Sequence, residues 1–272
     1  MANYTDQQRA LLSKAKELKL EGFIQQLEIQ FSNPEIYAQL PFETREEDLF
    51  QSQDDYLRDH RKRNLLKLAK LKSNKTLAAI ETGEKKGLTI DTLHVYTSLS
   101  WINGETTMKN ICISGASGSG KTSLICAIGR ACIEQCIPVL YFNCNDLLAE
   151  LVASDPTTRK RKRQRIAKAK VLILDDLCLK PQMTEAEAMC LYDILEDRNN
   201  ESPTIFATQL KQQGIKKRLN VSSVADSICR RLYEKCYVTC LKLDNDNSSS
   251  DVKITPDDNA LSLKENKEVN ND

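Results

Sequence analysis

Eight consecutive residues, Gly115 to Thr122, match the phosphate-binding template G-x-x-x-x-G-K-[ST]. Glycines in this template allow positive φ angles and let successive backbone amides point at one anion. We expect Lys121 to reach the β- and γ-phosphates and the Thr122 hydroxyl to join a Mg²⁺ shell. The pattern predicts a nucleoside triphosphate site. Its predicted binding residues are Gly115, Ala116, Ser117, Gly118, Ser119, Gly120, Lys121, Thr122 and Ser123.

A triphosphatase also needs a carboxylate at the end of a neighbouring strand, where it holds Mg²⁺ through the metal's water shell. The apolar run Val171 to Leu174 is followed by Asp175 and Asp176. Asp175 is therefore the candidate metal ligand. Asp176 stands where many ATPases place a glutamate that polarises the attacking water. A pair of helix-capping aspartates is the structural alternative.

Two further segments offer groups that act on phosphates. Gln209 follows the apolar run 203–208 and is expected to lie near the γ-phosphate, although a turn residue there is the plainer interpretation. Arg230 and Arg231 lie on a short helical segment ahead of the last apolar run. Paired arginines on a helix are usually a solvated face, but here one arginine is a candidate charge donor to the nucleotide of a neighbouring subunit.

These groups must be positioned by a regular scaffold. Residues 109–114 are typical of a buried strand entering the glycine loop, and residues 121–136 of a helix leaving it. Further strands are predicted at 138–142, 170–176, 203–208 and 237–243. Strands that alternate with helical segments predict a parallel α/β sheet of the P-loop type. Trp101 and Ile102, just upstream, are candidates either for flanking a base or for core packing.

Composition limits the partners and the compartment. The net charge is +1, so an acidic partner such as DNA must be bound by local patches, of which two stand out, at 58–75 and 159–170. No apolar run approaches the roughly 18 residues of a membrane span, and no secretion signal is visible. The ten cysteines form no C-x-x-C pair, which predicts buried, reduced thiols and a cytoplasmic location. We expect no membrane partner.

The order of these motifs resembles the IstB-like ATPases, AAA+ helpers of insertion-sequence transposition that are related to DnaC-type helicase loaders. The resemblance covers about residues 44 to 243, and its more specific part is FATQL at 206–210 followed by ADSICRRL at 225–232. It implies an ATPase that uses ATP and Mg²⁺. It also implies DNA, a transposase or replicative helicase, and head-to-tail copies of the chain as partners.

The same resemblance assigns roles by position. Gln209 corresponds to the sensor residue, Arg231 to the arginine finger, and residues 145–170 to the region that faces DNA. The DNA contacts predicted there are made mainly to the phosphate backbone by Lys160, Arg161, Lys162, Arg163 and Arg165. The domains predicted are a helical partner or oligomerisation domain at 1–82, an AAA+ core with a five-stranded sheet at 83–243, and a disordered acidic tail at 244–272.

Three departures from the family pattern bear on activity. Asp176 is one methylene shorter than the usual catalytic glutamate, Gln209 replaces the commoner asparagine, and Arg230 stands where an acidic residue is expected. Slow hydrolysis is the consequence we expect. Three alternatives stay open: a replicative helicase loader, a small-molecule kinase, and a module that binds nucleotide without turnover.

Overall fold

The computed structural model describes residues 4–198, 202–219 and 222–243. The predicted acidic tail, at 244–272, lies outside these described residues.

Five parallel strands form one sheet with the order β2-β3-β4-β1-β5. Each strand falls at a position predicted from its apolar run, so the predicted P-loop α/β fold is confirmed. Two of the three interior strands, β3 and β4, are buried along their whole length, as expected for parallel strands covered by helices on both faces. The strands are β1 Asn110–Gly115, β2 Val139–Asn143, β3 Val171–Asp175, β4 Thr204–Thr208 and β5 Cys236–Leu241.

Helices cover both faces of the sheet and create two hydrophobic cores. Helix α7, Lys121–Glu134, packs on one face, and most of its inward residues are fully buried. The opposite face is covered by the helices that follow β2, β3 and β4. They are α8 Cys144–Ala153, α9 Pro156–Lys168, α10 Glu185–Arg198, α11 Gln212–Arg218 and α12 Ser222–Tyr233.

The N-terminal region is helical, as predicted. It contains α1 Asp6–Glu17, α2 Glu21–Ser32, α3 Pro34–Tyr37 and α4 Phe42–Ala69. The buried side chain of Gln53 joins α2 to α4, because its Oε1 accepts hydrogen bonds from the amides of Gly22 at 2.9 Å and Phe23 at 3.3 Å. These amides belong to the first turn of α2, which has no capping side chain of its own.

The segment between α4 and β1 contains two single-turn 3-10 helices, Leu77–Ala79 and Glu84–Lys86, followed by two short α-helices, α5 Ile90–Ser98 and α6 Ser100–Asn103. Ala69 and Leu77 belong to the same core as β1, so packing on the sheet begins before the boundary predicted at residue 82. Trp101 and Ile102 are buried in that core. Of the two interpretations that the sequence allowed for them, the structure supports core packing.

All ten cysteines are free thiols, and most of them are buried. Burial raises the pKa of the Cys112 and Cys132 thiols to about 12, which keeps them protonated and unreactive at neutral pH. The structure thus agrees with the prediction of reduced, structural cysteines.

Candidate active site

The glycine loop joins the end of β1 to the start of α7, as the template requires. Gly118 and Gly120 have φ angles of +82° and +92°, which L-residues with side chains rarely adopt. The loop delivers the chain to the N-terminus of α7, where free amides and the helix dipole favour an anion. The structure therefore gives residues 115–122 the geometry of a phosphate cradle.

The ammonium group of Lys121 lies inside this loop. Its Nζ donates hydrogen bonds to the carbonyl oxygens of Gly115 at 2.9 Å and Ala116 at 2.6 Å. Burial lowers the pKa of Lys121, and the nearby carboxylates of Asp176 and Asp175 oppose that shift. A phosphate that enters the loop would contact a desolvated cation. The attraction between the two charges is stronger there than in bulk water.

Asp175 is fully buried at the end of β3 and makes three hydrogen bonds. Its Oδ2 accepts from the Thr122 hydroxyl at 2.8 Å and from the Tyr141 hydroxyl at 2.7 Å, while its Oδ1 accepts from the Asp176 amide at 3.0 Å. A hydroxyl and a carboxylate oxygen that converge beside a phosphate cradle are a donor set that suits Mg²⁺. When bound there, the ion would neutralise charge that develops on the phosphates.

The second carboxylate, Asp176, is held by residues at the end of β2. Asn143 aligns with Asp175 in the β2–β3 register, and its Nδ2 donates to Asp176 Oδ2 at 3.1 Å. The amide side chain of Asn145 donates to the Asp176 carbonyl at 3.4 Å. Asp176 has a φ angle of +56°, a conformation that aspartate tolerates better than most residues. These contacts hold Asp176 next to Asp175, and its role as a general base stays a prediction.

Two consecutive polar residues at the end of β4 differ in their exposure to solvent. Thr208 is buried, and its hydroxyl donates to the Leu177 carbonyl at 3.0 Å, which ties β4 to the loop after β3. Gln209 is exposed immediately after the strand. Its sensor role stays a prediction.

The predicted arginine finger is engaged within its own subunit. The Arg231 guanidinium forms an ion pair with Glu196 of α10 and lies 4.9 Å from the centre of the Tyr192 ring. Only 14% of its side chain is exposed, whereas Arg230 is exposed. In this conformation the carboxylate and the ring bind Arg231 to α10, so the guanidinium does not project freely from α12. Its role in catalysis stays a prediction.

The predicted DNA-binding run forms most of α9, which spreads its basic residues around a helix. Lys160, Arg161 and Arg165 are exposed. Lys162 is paired with Glu150 and lies over the Phe142 ring, and Arg163 forms ion pairs with Asp193 and Asp197 at 2.6 and 2.9 Å. Because the run is helical, its side chains point in different directions. Some of its cations are exposed, and others are paired with carboxylates of this chain. The DNA contact itself stays a prediction.

A cavity of about 230 Å³ adjoins the glycine loop on the side of the linker between α4 and β1. Its lining joins the glycine loop and the start of α7 to β5 and to the linker residues Lys75, Ala79, Ile80, Glu81, Lys86 and Leu88. The linker side therefore offers both apolar surface, which suits the nucleoside part of a ligand, and charged groups beside the phosphate cradle. Residues 75–88 carry no motif, so the sequence did not indicate this part of the site.

Tyr141 and Asn143 were also missed by sequence reasoning. Both belong to a strand that was predicted, and the carboxyl ends of adjacent parallel strands meet at one edge of the sheet. Placing β2 beside β3 would have brought them next to Asp175 and Asp176. This neighbourhood follows from the strand order, which the apolar runs of the sequence do not predict.

In the described ranges, the structure contains neither a helix long and apolar enough to cross a membrane nor a cluster of three or more metal-ligating side chains.

Comparison with known proteins gives a family match over most of the chain. The family model described as IstB-like ATP binding protein matches residues 13–250. A *Pseudomonas fluorescens* protein named as an ATP-binding protein of insertion sequence IS1162 is 32% identical over 203 residues, which are 73% of this chain and 85% of the relative. The *Sinorhizobium fredii* protein y4pL, named as an insertion sequence ATP-binding protein, is 30% identical over 63% of this chain and 69% of its own.

Solved structures share the fold. DnaI superposes with a TM-score of 0.51 at 23% identity, covering 66% of this chain and 90% of DnaI. DnaA from *Aquifex aeolicus*, bound to AMPPCP, gives a TM-score of 0.52 at 21% identity over 65% of this chain and 52% of DnaA. At these identities the likeness concerns the fold alone, and it agrees with the parallel α/β fold described above.

Proposed function

Because this chain belongs to the IstB-like ATP-binding protein family, we propose that its ATPase activity drives assembly on DNA and that the assembly serves as helper to a transposase. ATP binding holds neighbouring subunits together in this scheme, and hydrolysis releases them. The proposed activity of the assembly is to select a target site and activate the transposase there. We place the protein in the cytoplasm.

One observation carries this proposal: two exposed arginines line a groove that is connected, through one side chain, to the proposed metal carboxylate. Arg161 and Arg165 of α9 line a groove that also contains Tyr141, and Tyr141 donates a hydrogen bond to Asp175. A nucleic acid on that surface would lie close to the groups that act on ATP. This proximity supports an ATPase cycle that depends on DNA.

The roles of individual residues follow from their placement. We propose that Lys121 binds the β- and γ-phosphates, that Thr122 and Asp175 hold Mg²⁺, and that Asp176 accepts a proton from the attacking water. Gln209 would sense the γ-phosphate. Arg231 of an adjacent subunit would complete the site, after release from Glu196. Such a head-to-tail contact generates rings or open spirals.

The proposal is tested by fluorescence anisotropy of a labelled mixed-sequence DNA, titrated with the protein in the presence of ATP, of ADP and of no nucleotide. We expect ATP to tighten binding, and log affinity to fall linearly with log salt by about 0.9 per phosphate contact. The absence of DNA binding at low salt in all three conditions would contradict the proposal.

The protein partner is tested separately. We expect a purified insertion-sequence transposase to co-sediment with the ATP- and DNA-bound assembly. Binding of a replicative hexameric helicase instead would identify the chain as a helicase loader. A loader shares the ATPase core, so the two functions differ in the partner alone.

A further inference from the structure

Two basic runs that are far apart in the sequence meet in one groove of the fold. The groove has a volume of about 810 Å³ and lies between the segment that follows α4 and the outer face of α9. Its floor is the carboxyl end of β2. The basic residues of its lining are Lys70, Lys72, Arg161, Lys162 and Arg165.

Most of this positive charge is available to a ligand. Lys162 is paired with Glu150, but in the part of the chain that the structure describes no carboxylate lies within ion-pair distance of the other four basic residues. All four are exposed, and Asp146 is the remaining acidic residue of the lining. A groove that brings exposed cations of two separate chain segments together is suited to a polyanionic strand.

Tyr141 connects this groove to the metal carboxylate. It lines the floor of the groove, and its hydroxyl donates to Oδ2 of Asp175 at 2.7 Å. The same oxygen accepts from Thr122, so it is the oxygen that faces the phosphate cradle. A tyrosine hydroxyl has one proton to donate. If a phosphate oxygen in the groove accepts a hydrogen bond from this hydroxyl, the hydrogen bond from Tyr141 to Asp175 Oδ2 must break.

We propose that a nucleic-acid backbone phosphate bound in this groove draws the Tyr141 hydroxyl away from Asp175, and thereby strengthens Mg²⁺ binding at the ATP site. Tyr141 is a positioning residue in this scheme, since it acts through Asp175. The inference rests on the proposed function, because it requires that the chain binds DNA. It adds the route by which DNA bound in the groove influences the ATP site.

The first test asks whether the groove binds DNA. Arg161→Ala with Arg165→Ala removes two cations from the groove, and Lys160→Ala with Lys170→Ala removes two exposed cations that do not line it. Anisotropy with a short mixed-sequence DNA, as duplex and as single strand, gives the salt slope of each variant. We expect the groove variant to lose about two units of slope and the control to lose less than one. Equal losses, or a larger loss in the control, would place the DNA elsewhere.

The second test measures the Mg²⁺ concentration that half-saturates binding of a fluorescent ATP analogue, with and without DNA, so its readout is binding and not turnover. In the wild type we expect DNA to lower this concentration by at least about tenfold, the lower end of the range for one hydrogen bond to a charged group. Tyr141→Phe should show the low value with or without DNA, because its Asp175 has no tyrosine donor. Tyr237→Phe, on β5 at the other edge of the sheet, should respond to DNA like the wild type.

Three results would overturn the inference, and each differs from a failure of the proposed function. If the wild type binds DNA but its Mg²⁺ requirement does not change, the groove does not communicate with Asp175. If Tyr141→Phe responds to DNA as the wild type does, the path does not use the hydroxyl. If Arg161→Ala with Arg165→Ala, which leaves Tyr141 in place, keeps the Mg²⁺ response, the groove is not its origin. If the wild type binds no DNA, the proposed function fails first.

Discussion

Arg231 and Glu196 form an ion pair between α12 and α10 within one subunit. The guanidinium also lies over the Tyr192 ring, 4.9 Å from its centre. An arginine held in this way cannot reach the nucleotide of a neighbour unless the pair opens. The ion pair therefore competes with the proposed contact between subunits.

Glu196→Gln is expected to raise steady-state ATP hydrolysis of the DNA-bound assembly. The amide keeps the size of the side chain but removes the charge that holds Arg231, so more of the arginine is free to act in trans. ATPase rate against protein concentration is the measurement. Glu185→Gln, an exposed change on the same helix, is the control. A rate for Glu196→Gln at or below that of the control would show that this ion pair does not restrain the finger.

Mixing two inactive variants tests whether Arg231 acts between subunits. A finger supplied in trans contributes about 10³- to 10⁵-fold to turnover in other phosphoryl-transfer systems, so Arg231→Ala alone should be almost inactive. Lys121→Ala alone should be inactive through loss of phosphate binding. A mixed assembly joins an intact loop to an intact arginine, and activity should return. Absence of activity at every ratio, with co-assembly demonstrated, would assign Arg231 to its own subunit, and Arg230→Ala would then show whether the exposed arginine acts instead.

The two carboxylates should separate binding from turnover. Asp175→Ala removes the acceptor shared by Thr122 and Tyr141 and should abolish the Mg²⁺ dependence of ATP binding. Asp176→Asn retains an oxygen that can accept from Asn143, so ATP binding should persist while hydrolysis is lost. Titration with a fluorescent ATP analogue and a phosphate-release assay measure the two properties. Wild-type turnover by Asp176→Asn would require another group to position the water.

Gln53→Ala should weaken the N-terminal helices without affecting the ATP site. Loss of its buried carbonyl leaves the Gly22 and Phe23 amides without their acceptor, which costs about 1–3 kcal/mol. Thermal unfolding should shift downward, and affinity for the ATP analogue should remain unchanged. Gln51→Ala, an exposed change on the same helix, is the control. Equal unfolding temperatures for the two variants would contradict the importance of this contact.

The sequence predicted those parts of the site that a local residue pattern identifies. The glycine loop and the strand ending in Asp175 each carry their own pattern, and both lie where they were predicted. Tyr141 and the linker at 75–88 were not identified, since their roles arise from strand order and from the path of the chain over the sheet. In α9, where Pro156 after Asp155 marks a helix start, helical periodicity separates the exposed Arg161 from the ion-paired Arg163. A basic run taken as one continuous patch does not make this distinction.

The central claim is an ATPase cycle governed by DNA, and the most direct measurement is the steady-state rate of ATP hydrolysis with and without DNA. We predict that mixed-sequence DNA raises the wild-type rate severalfold and that Lys121→Ala remains inactive in both conditions. A wild-type rate that DNA leaves unchanged, at concentrations where anisotropy shows the protein to be DNA-bound, would contradict the account.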